Sequence, residues 1–206
     1  IDGSLRRGAA VEATLEAMKA GAPLVLGGWL PDDVEGGRTG KPDILVQVPG
    51  GYLPADVKHH RSVQAARRTT VLVSGLAAPA DRRELPGWTA ATGYRYSDGM
   101  QLSHYFRMLT RCNYAPAEGP ALGAIVGSSR LPGPLGRDDD LMLVWHDLDA
   151  PAGFTFSRSR GKVRRSLLQR YDHEHDFRVK VVQTARRIGG CGDDPGLLVR
   201  PVGQAE

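Results

Sequence analysis

At 206 residues the chain is long enough for one well-buried domain and too short for two independent ones. A hydrophobic fraction of 41% and a charged fraction of 24% are those of a globular protein, and no apolar run reaches the roughly 20 residues a membrane-spanning helix needs, so a soluble protein is expected. Two cysteines, Cys112 and Cys191, are too few for a cysteine-only zinc or iron-sulfur site and fit a reducing cytoplasm, and the net charge of +4 favours anionic partners without choosing among them.

The chain begins at Ile1, and nothing before Gly8 has the character of a secretory signal. Ala9 to Ala20 reads as a helix rich in Ala, Leu, Glu and Met, stopped by Gly21. Pro23 to Leu30 reads as a strand that includes Trp29. After the polar loop Pro31 to Gly40 come two more strands, Pro42 to Val48 and Tyr52 to His59, joined by the turn-forming Pro49, Gly50 and Gly51. The β-branched run Thr69 to Val73 marks a strand within Ala65 to Leu76, and Ala77 to Gly93 reads as a connection. A second helix is expected to use Ser97 or Asp98 as its cap and to carry the apolar stripe Leu102, Tyr105, Phe106 and Leu109. Ala121 to Val126 and Leu141 to Trp145 are short apolar strands, separated by a Gly- and Pro-rich loop and the acidic run Asp138 to Asp140. Ser159 to Arg187 reads as a third helix, with Leu168, Tyr171, His175, Val179 and Val182 on one side. These elements make one domain, residues 1–188, followed by an irregular tail, residues 189–206.

The residues that carry chemistry lie on the second and third strands. A strand's period of two aims Asp56 and Lys58 at one face and sends Val57 into the core, and a tight hairpin brings Asp43 beside Asp56. Two carboxylates a few ångströms apart repel unless a cation joins them. Such hard oxygen ligands suit Mg²⁺ or Mn²⁺, with the Val57 backbone carbonyl as a further ligand. An ion held there can activate water for in-line attack on a phosphodiester, with Lys58 orienting that water or neutralising transition-state charge.

Pro42-Asp43, Asp56-Val57-Lys58 and the later Gln101-Leu102-Ser103-His104-Tyr105 resemble the motifs of the PD-(D/E)xK nuclease superfamily, in its RecB-like branch. The resemblance runs from about Ala9 to Val182 and is concentrated between Asp43 and Tyr105. It implies an α/β fold with a restriction-endonuclease-like core, a central mixed sheet flanked by helices. It implies a Mg²⁺- or Mn²⁺-dependent deoxyribonuclease, an exonuclease on single-stranded or end-bearing DNA, with Asp43, Asp56 and Lys58 as its catalytic centre. Gln101 and Tyr105, four apart on one helical face, inherit the role of holding the DNA strand and the active-site lysine. The family's further metal ligand, a His or Glu on the helix before the first strand, corresponds here to Glu12 or Glu16, or to a residue upstream of Ile1. Relatives that hold an iron-sulfur cluster carry four cysteines. Cys191 stands alone in that region, so no cluster is expected. If the helix ligand is missing, the chain is instead a catalytically inactive DNA-binding module that keeps the nuclease fold.

His60, two residues beyond Lys58, shares its face by strand alternation and is placed to touch DNA. Arg158, Arg160, Lys162, Arg164, Arg165 and Arg170 form one basic cluster, expected on a helix and facing phosphates without reading bases; Lys58, Arg61, Arg67 and Arg68 form a second. Asp172-His173-Glu174-His175-Asp176 is a poor metal site, because residues two apart on a helix do not face each other. Trp29 and Trp145 are assigned to the core.

Overall fold

The structure, a computed structural model, describes residues 3–132, 141–151, 154–156 and 163–187. Asp138 to Asp140, Arg158, Arg160, Lys162, Cys191 and the tail at 189–206 lie outside the described residues. The first helix, α1 (Gly3–Lys19), starts before Ala9 and stops at Gly21, as its sequence requires. Gly21 takes the left-handed conformation (φ +72°), so its N–H bonds the Met18 carbonyl and the Ala22 N–H bonds that of Ala17, which satisfies two helix-end carbonyls.

Three strands follow, β1 (Leu24–Leu26), β2 (Ile44–Val48) and β3 (Gly51–Val57). The first is shorter than expected because Gly27, at φ +61°, turns the chain out of the sheet. Trp29 therefore stands in a loop rather than a strand, with Arg7 4.8 Å and Lys41 5.9 Å from its ring centre. The hairpin β2–β3 is antiparallel and pairs Ile44 with Ala55 and Val48 with Gly51. Gly51 is required at its turn. A Cβ there would overlap the Tyr114 carbonyl oxygen, which accepts the Tyr52 N–H at 2.7 Å, and would sit 2.9 Å from the Pro116 nitrogen. Gly51→Ala should lower stability by about 1–3 kcal/mol, since backbone atoms must give way. Thermal denaturation checks this, and an unchanged midpoint would mean that the 113–116 turn yields freely.

The segment expected to be a connection is a strand. β4 (Val63–Gly75) and β5 (Ala78–Ala90) form a long antiparallel hairpin. Pro79 and Pro86 obscure the strand in the sequence, but β5 is the last strand of the sheet, where a missing N–H leaves no neighbour unpaired. Its register jumps between Ala65 and Thr70, where Arg68 adopts φ +63° opposite Gly87 at φ +84°.

α2 (Arg95–Arg111), β6 (Leu122–Val126) and β7 (Met142–Asp147) complete a seven-stranded mixed sheet of order β1-β2-β3-β6-β7-β4-β5, in which β3 and β6 are parallel. The chain is thus an α/β protein with helices against a central sheet. Neither Ser97 nor Asp98 caps α2. Tyr94 holds the cap position without a side-chain bond, and the Ser97 hydroxyl is spent on the Tyr94 carbonyl at 3.0 Å. Leu102 and Phe106 of α2 pack with Ile44, Val46, Leu53, Ile125 and Leu143, while Tyr105, Met108 and Leu109 pack with Met18, Leu30, Leu45 and Tyr52. Trp145 is core, as expected, and its indole N–H donates to Ser74 Oγ at 2.8 Å.

The expected helix from Ser159 is two elements. A short pair, β8 (Phe154–Phe156) with β9 (Val163–Arg165), precedes α3 (Leu167–Arg187). Ser166-Leu167-Leu168-Gln169 is a capping box. The Gln169 N–H donates to Ser166 Oγ and the Ser166 N–H to Gln169 Oε1, both at 3.1 Å, so the helix starts here and no earlier. Arg164 and Arg165 consequently lie on a strand, and Arg170 pairs with Glu174 at 2.9 Å and lies over the Tyr96 ring, so these three described arginines do not share one helical face. Leu168 and Tyr171 are buried as expected, but Val182 is exposed. No helix among the described residues is long and apolar enough to cross a membrane.

Candidate active site

The motif residues meet where β3 ends beside α2. Because Ile44 pairs with Ala55, one step outward sets Asp43 across from Asp56. The Asp43 backbone is fixed by its carbonyl, which accepts the Gly27 N–H at 2.7 Å, and its carboxylate Oδ2 accepts the Val57 N–H at 2.9 Å. Lys58 follows the strand and stays registered on β6, its N–H donating to the Val126 carbonyl at 2.8 Å.

Asp56 is 2% exposed, whereas Val57 is 53% exposed. The expectation that Val57 points into the core is therefore corrected: at the strand's last residue the outward position has run past the helices, and the acid occupies the covered side. Alternation itself holds, since Lys58 Nζ pairs with Asp56 Oδ2. That oxygen is sealed from solvent, and its partner is the Lys58 ammonium. Lys58 Nζ also donates to Gln101 Oε1 at 2.7 Å. Gln101 Nε2 in turn donates to the Tyr105 hydroxyl at 3.1 Å, and that hydroxyl donates to the Lys41 carbonyl at 3.3 Å. The amide orientation of Gln101 is set by this chain, with its oxygen on the cation and its NH₂ on the phenol.

Burial pushes the Asp56 carboxyl above the ordinary carboxylate range; Lys58 pulls it back, and a hydrogen bond and charge from Asp43 push it up again. Tyr105 is likewise raised, first by burial, so it stays a protonated donor. The Asp56 shift has a sign that can be tested. Its folded-state affinity for a proton exceeds the unfolded one, so the stability it contributes is present below the unfolded pKa and is lost as pH rises through the raised value. Without metal, the parent should therefore lose stability relative to Asp56→Asn as pH rises from the acid range toward neutrality. Melting midpoints of both proteins in EDTA across that range measure this, and a constant difference would contradict it.

Among the described residues no third carboxylate joins Asp43 and Asp56. Glu12 and Glu16 are both exposed on α1, which buries Thr14 and Met18. Among the described residues no group of three His, Cys, Asp or Glu side chains forms that could hold a metal ion. The two carboxylates still suit a divalent cation: Asp56 is buried, which raises its pKa, and stands beside a second acid that raises it further, and a hard cation between two carboxylates offsets both effects.

His60 does not share a strand face with Lys58, because β3 has ended. Its Nε2 faces Asp98 at 3.3 Å and its ring stacks on Tyr94. Tyr94 was not singled out from the sequence, and Asp98 only as a helix cap, although it lies three residues before Gln101 and so on the same helical face. Arg67 and Arg68 fall in the stretch of β4 where its register with β5 jumps, between Ala65 and Thr70.

The loop that leads into Asp43 is clamped from outside the site. Arg38 pairs with Asp33 at 2.7 Å and donates to the Tyr171 hydroxyl at 3.2 Å; His104 bridges that hydroxyl at 2.7 Å and the Thr39 carbonyl at 3.0 Å. Burial holds His104 below its ordinary pKa, which keeps the neutral ring with its Nε2–H on Thr39. His175 reaches the Gly36 carbonyl at 2.7 Å, Asp172 pairs with Arg107 and Glu174 with Arg170, so these three residues of the α3 run hold the fold together. Comparison with protein-family models, curated proteins and solved structures finds no match to this chain.

Proposed function

We propose that the chain is a Mg²⁺- or Mn²⁺-dependent deoxyribonuclease with a restriction-endonuclease-like core of the PD-(D/E)xK, RecB-like type, acting as an exonuclease on single-stranded or end-bearing DNA. What supports this is one contact pattern: Lys58 Nζ touches both Asp56 and Gln101, joining the Asp-x-Lys and Gln-x-x-x-Tyr motifs, while Asp43 of the Pro-Asp motif accepts the Val57 N–H between them. Asp43 and Asp56 are the residues that would hold the ion, with the Val57 carbonyl as a further ligand. When bound, the ion would polarise the phosphodiester and make water more acidic. Lys58, held between a carboxylate and an amide oxygen, keeps a positive charge or a proton donor at the reacting phosphate. Gln101 and Tyr105 fix its direction, tied through Tyr105 to the Lys41 backbone two residues before Asp43.

Exposure of both Glu12 and Glu16 favours the second reading, a DNA-binding module with the fold and no activity. Mn²⁺ titration followed by the loss of the free-ion electron paramagnetic resonance signal separates the two. The nuclease binds Mn²⁺ and Asp56→Asn does not, whereas the inactive module shows no Asp56-dependent binding.

A further inference from the structure

Beyond the Lys58–Gln101 contact lies an aromatic surface held rigid from behind. The His60 Nε2 faces the Asp98 carboxylate at 3.2–3.3 Å, its Nδ1 lies 3.0 Å from the Arg61 carbonyl, and its ring lies flat on Tyr94, with centroids 3.9 Å apart and planes 9° from parallel. Asp98 is buried in the first turn of α2, and Tyr94 is the cap residue of that helix, 50% exposed. One face of Tyr94 is thus braced while half of the residue stays open to water.

We propose that Tyr94, backed by His60 and Asp98, is a stacking platform for a base of single-stranded DNA next to the phosphate at Lys58. The proposal rests on the nuclease reading above and deepens it by naming the residue that receives an unpaired base. The bracing matters because a ring already fixed in place loses little freedom when a base lands on it. Every base has a π-face, so such a platform tolerates any sequence. A base inside a duplex is already stacked on both sides, so only an unpaired or terminal base can use it. The placement also fits. His60 is two residues beyond Lys58, and Tyr94 is seven before Gln101 on α2, about 10 Å along the helix axis at 1.5 Å per residue. Platform and lysine are therefore held by the same two elements. Arg61, exposed beside His60, adds a charge for the backbone of the same strand.

The test uses fluorescence anisotropy of a labelled single-stranded oligonucleotide in EDTA, so that binding is read without metal-dependent cleavage. Parent, Tyr94→Phe and Tyr94→Ala are compared, with 2-aminopurine placed at successive positions to report stacking by quenching. Tyr94→Ala should weaken binding about 5- to 100-fold and remove quenching at one position, while Tyr94→Phe retains both. Equal affinity and quenching in the parent and Tyr94→Ala overturn the platform, and leave the nuclease reading standing if Asp56-dependent cleavage persists. An equal loss of duplex binding also overturns it, since the contact would then be to the backbone. A parent that binds no oligonucleotide overturns the platform, and Asp56-dependent cleavage in Mg²⁺ or Mn²⁺ then decides the nuclease reading separately.

Discussion

Asp56→Asn should reduce metal-dependent DNA cleavage below detection, a loss on the order of 10³ or more, at the upper end for removing one group that stabilises a transition state. The reason is local. Asp56 is buried at the end of β3, shares its surroundings with Asp43 and is pushed above its ordinary pKa, so it is the acid with most to gain from a cation. An amide at this position keeps the size, can still accept from Lys58, and donates to Asp43 where a second negative charge stood. The variant should therefore fold while losing affinity for Mn²⁺. Asp43→Ala should lose cleavage as well, since it removes the other carboxylate. Full cleavage by purified, folded Asp56→Asn would remove the assignment of the site.

Lys58→Ala should separate ion binding from chemistry. Its ammonium sits beside the proposed ion without being a ligand, and a nearby positive charge opposes cation binding, so Mn²⁺ affinity should stay equal or rise. Cleavage should nonetheless fall by on the order of 10² or more, the usual cost of losing one positioned acid-base or charge-stabilising group. Gln101→Ala should be milder, because Gln101 orients the lysine by one hydrogen bond of 2.7 Å and is itself held by Tyr105. Single-turnover rates and Mn²⁺ titrations on the three proteins give the comparison. If Lys58→Ala and Asp56→Asn lose Mn²⁺ equally, the lysine is structural, and near-normal cleavage without Lys58 would rule out this mechanism.

The residues brought together were legible because their spacing matches the geometry that unites them. Asp56 and Lys58 are two apart on a strand, Gln101 and Tyr105 four apart on a helix, and Asp43 and Asp56 flank a hairpin whose turn is written in Pro49, Gly50 and Gly51. The stop at Gly21 was legible for the same reason, since only a residue tolerant of positive φ closes that helix end cheaply. Elsewhere tertiary context decided. β5 holds prolines that a strand tolerates only at a sheet edge, and its place in the strand order is not a local property. The Ser-x-x-Gln box at Ser166 was a local signal that the surrounding arginines masked, and it moves the start of α3 past Arg164 and Arg165. Burial of Asp56 with exposure of Val57 could not be read from hydropathy, because it depends on where the helices stop covering the sheet. The His60–Tyr94 stack joins residues from two elements whose contact no spacing rule encodes.

The most direct measurement is the fate of end-labelled linear DNA and closed circular DNA incubated with the parent and with Asp56→Asn in Mg²⁺, Mn²⁺ or EDTA. The parent should degrade linear DNA in either metal, leave the closed circle intact and be inert in EDTA, and Asp56→Asn should be inert throughout. Cleavage that survives EDTA or the loss of Asp56, or a parent that binds DNA yet cleaves none of it in either metal, would rule out a metal-dependent nuclease centred on Asp56.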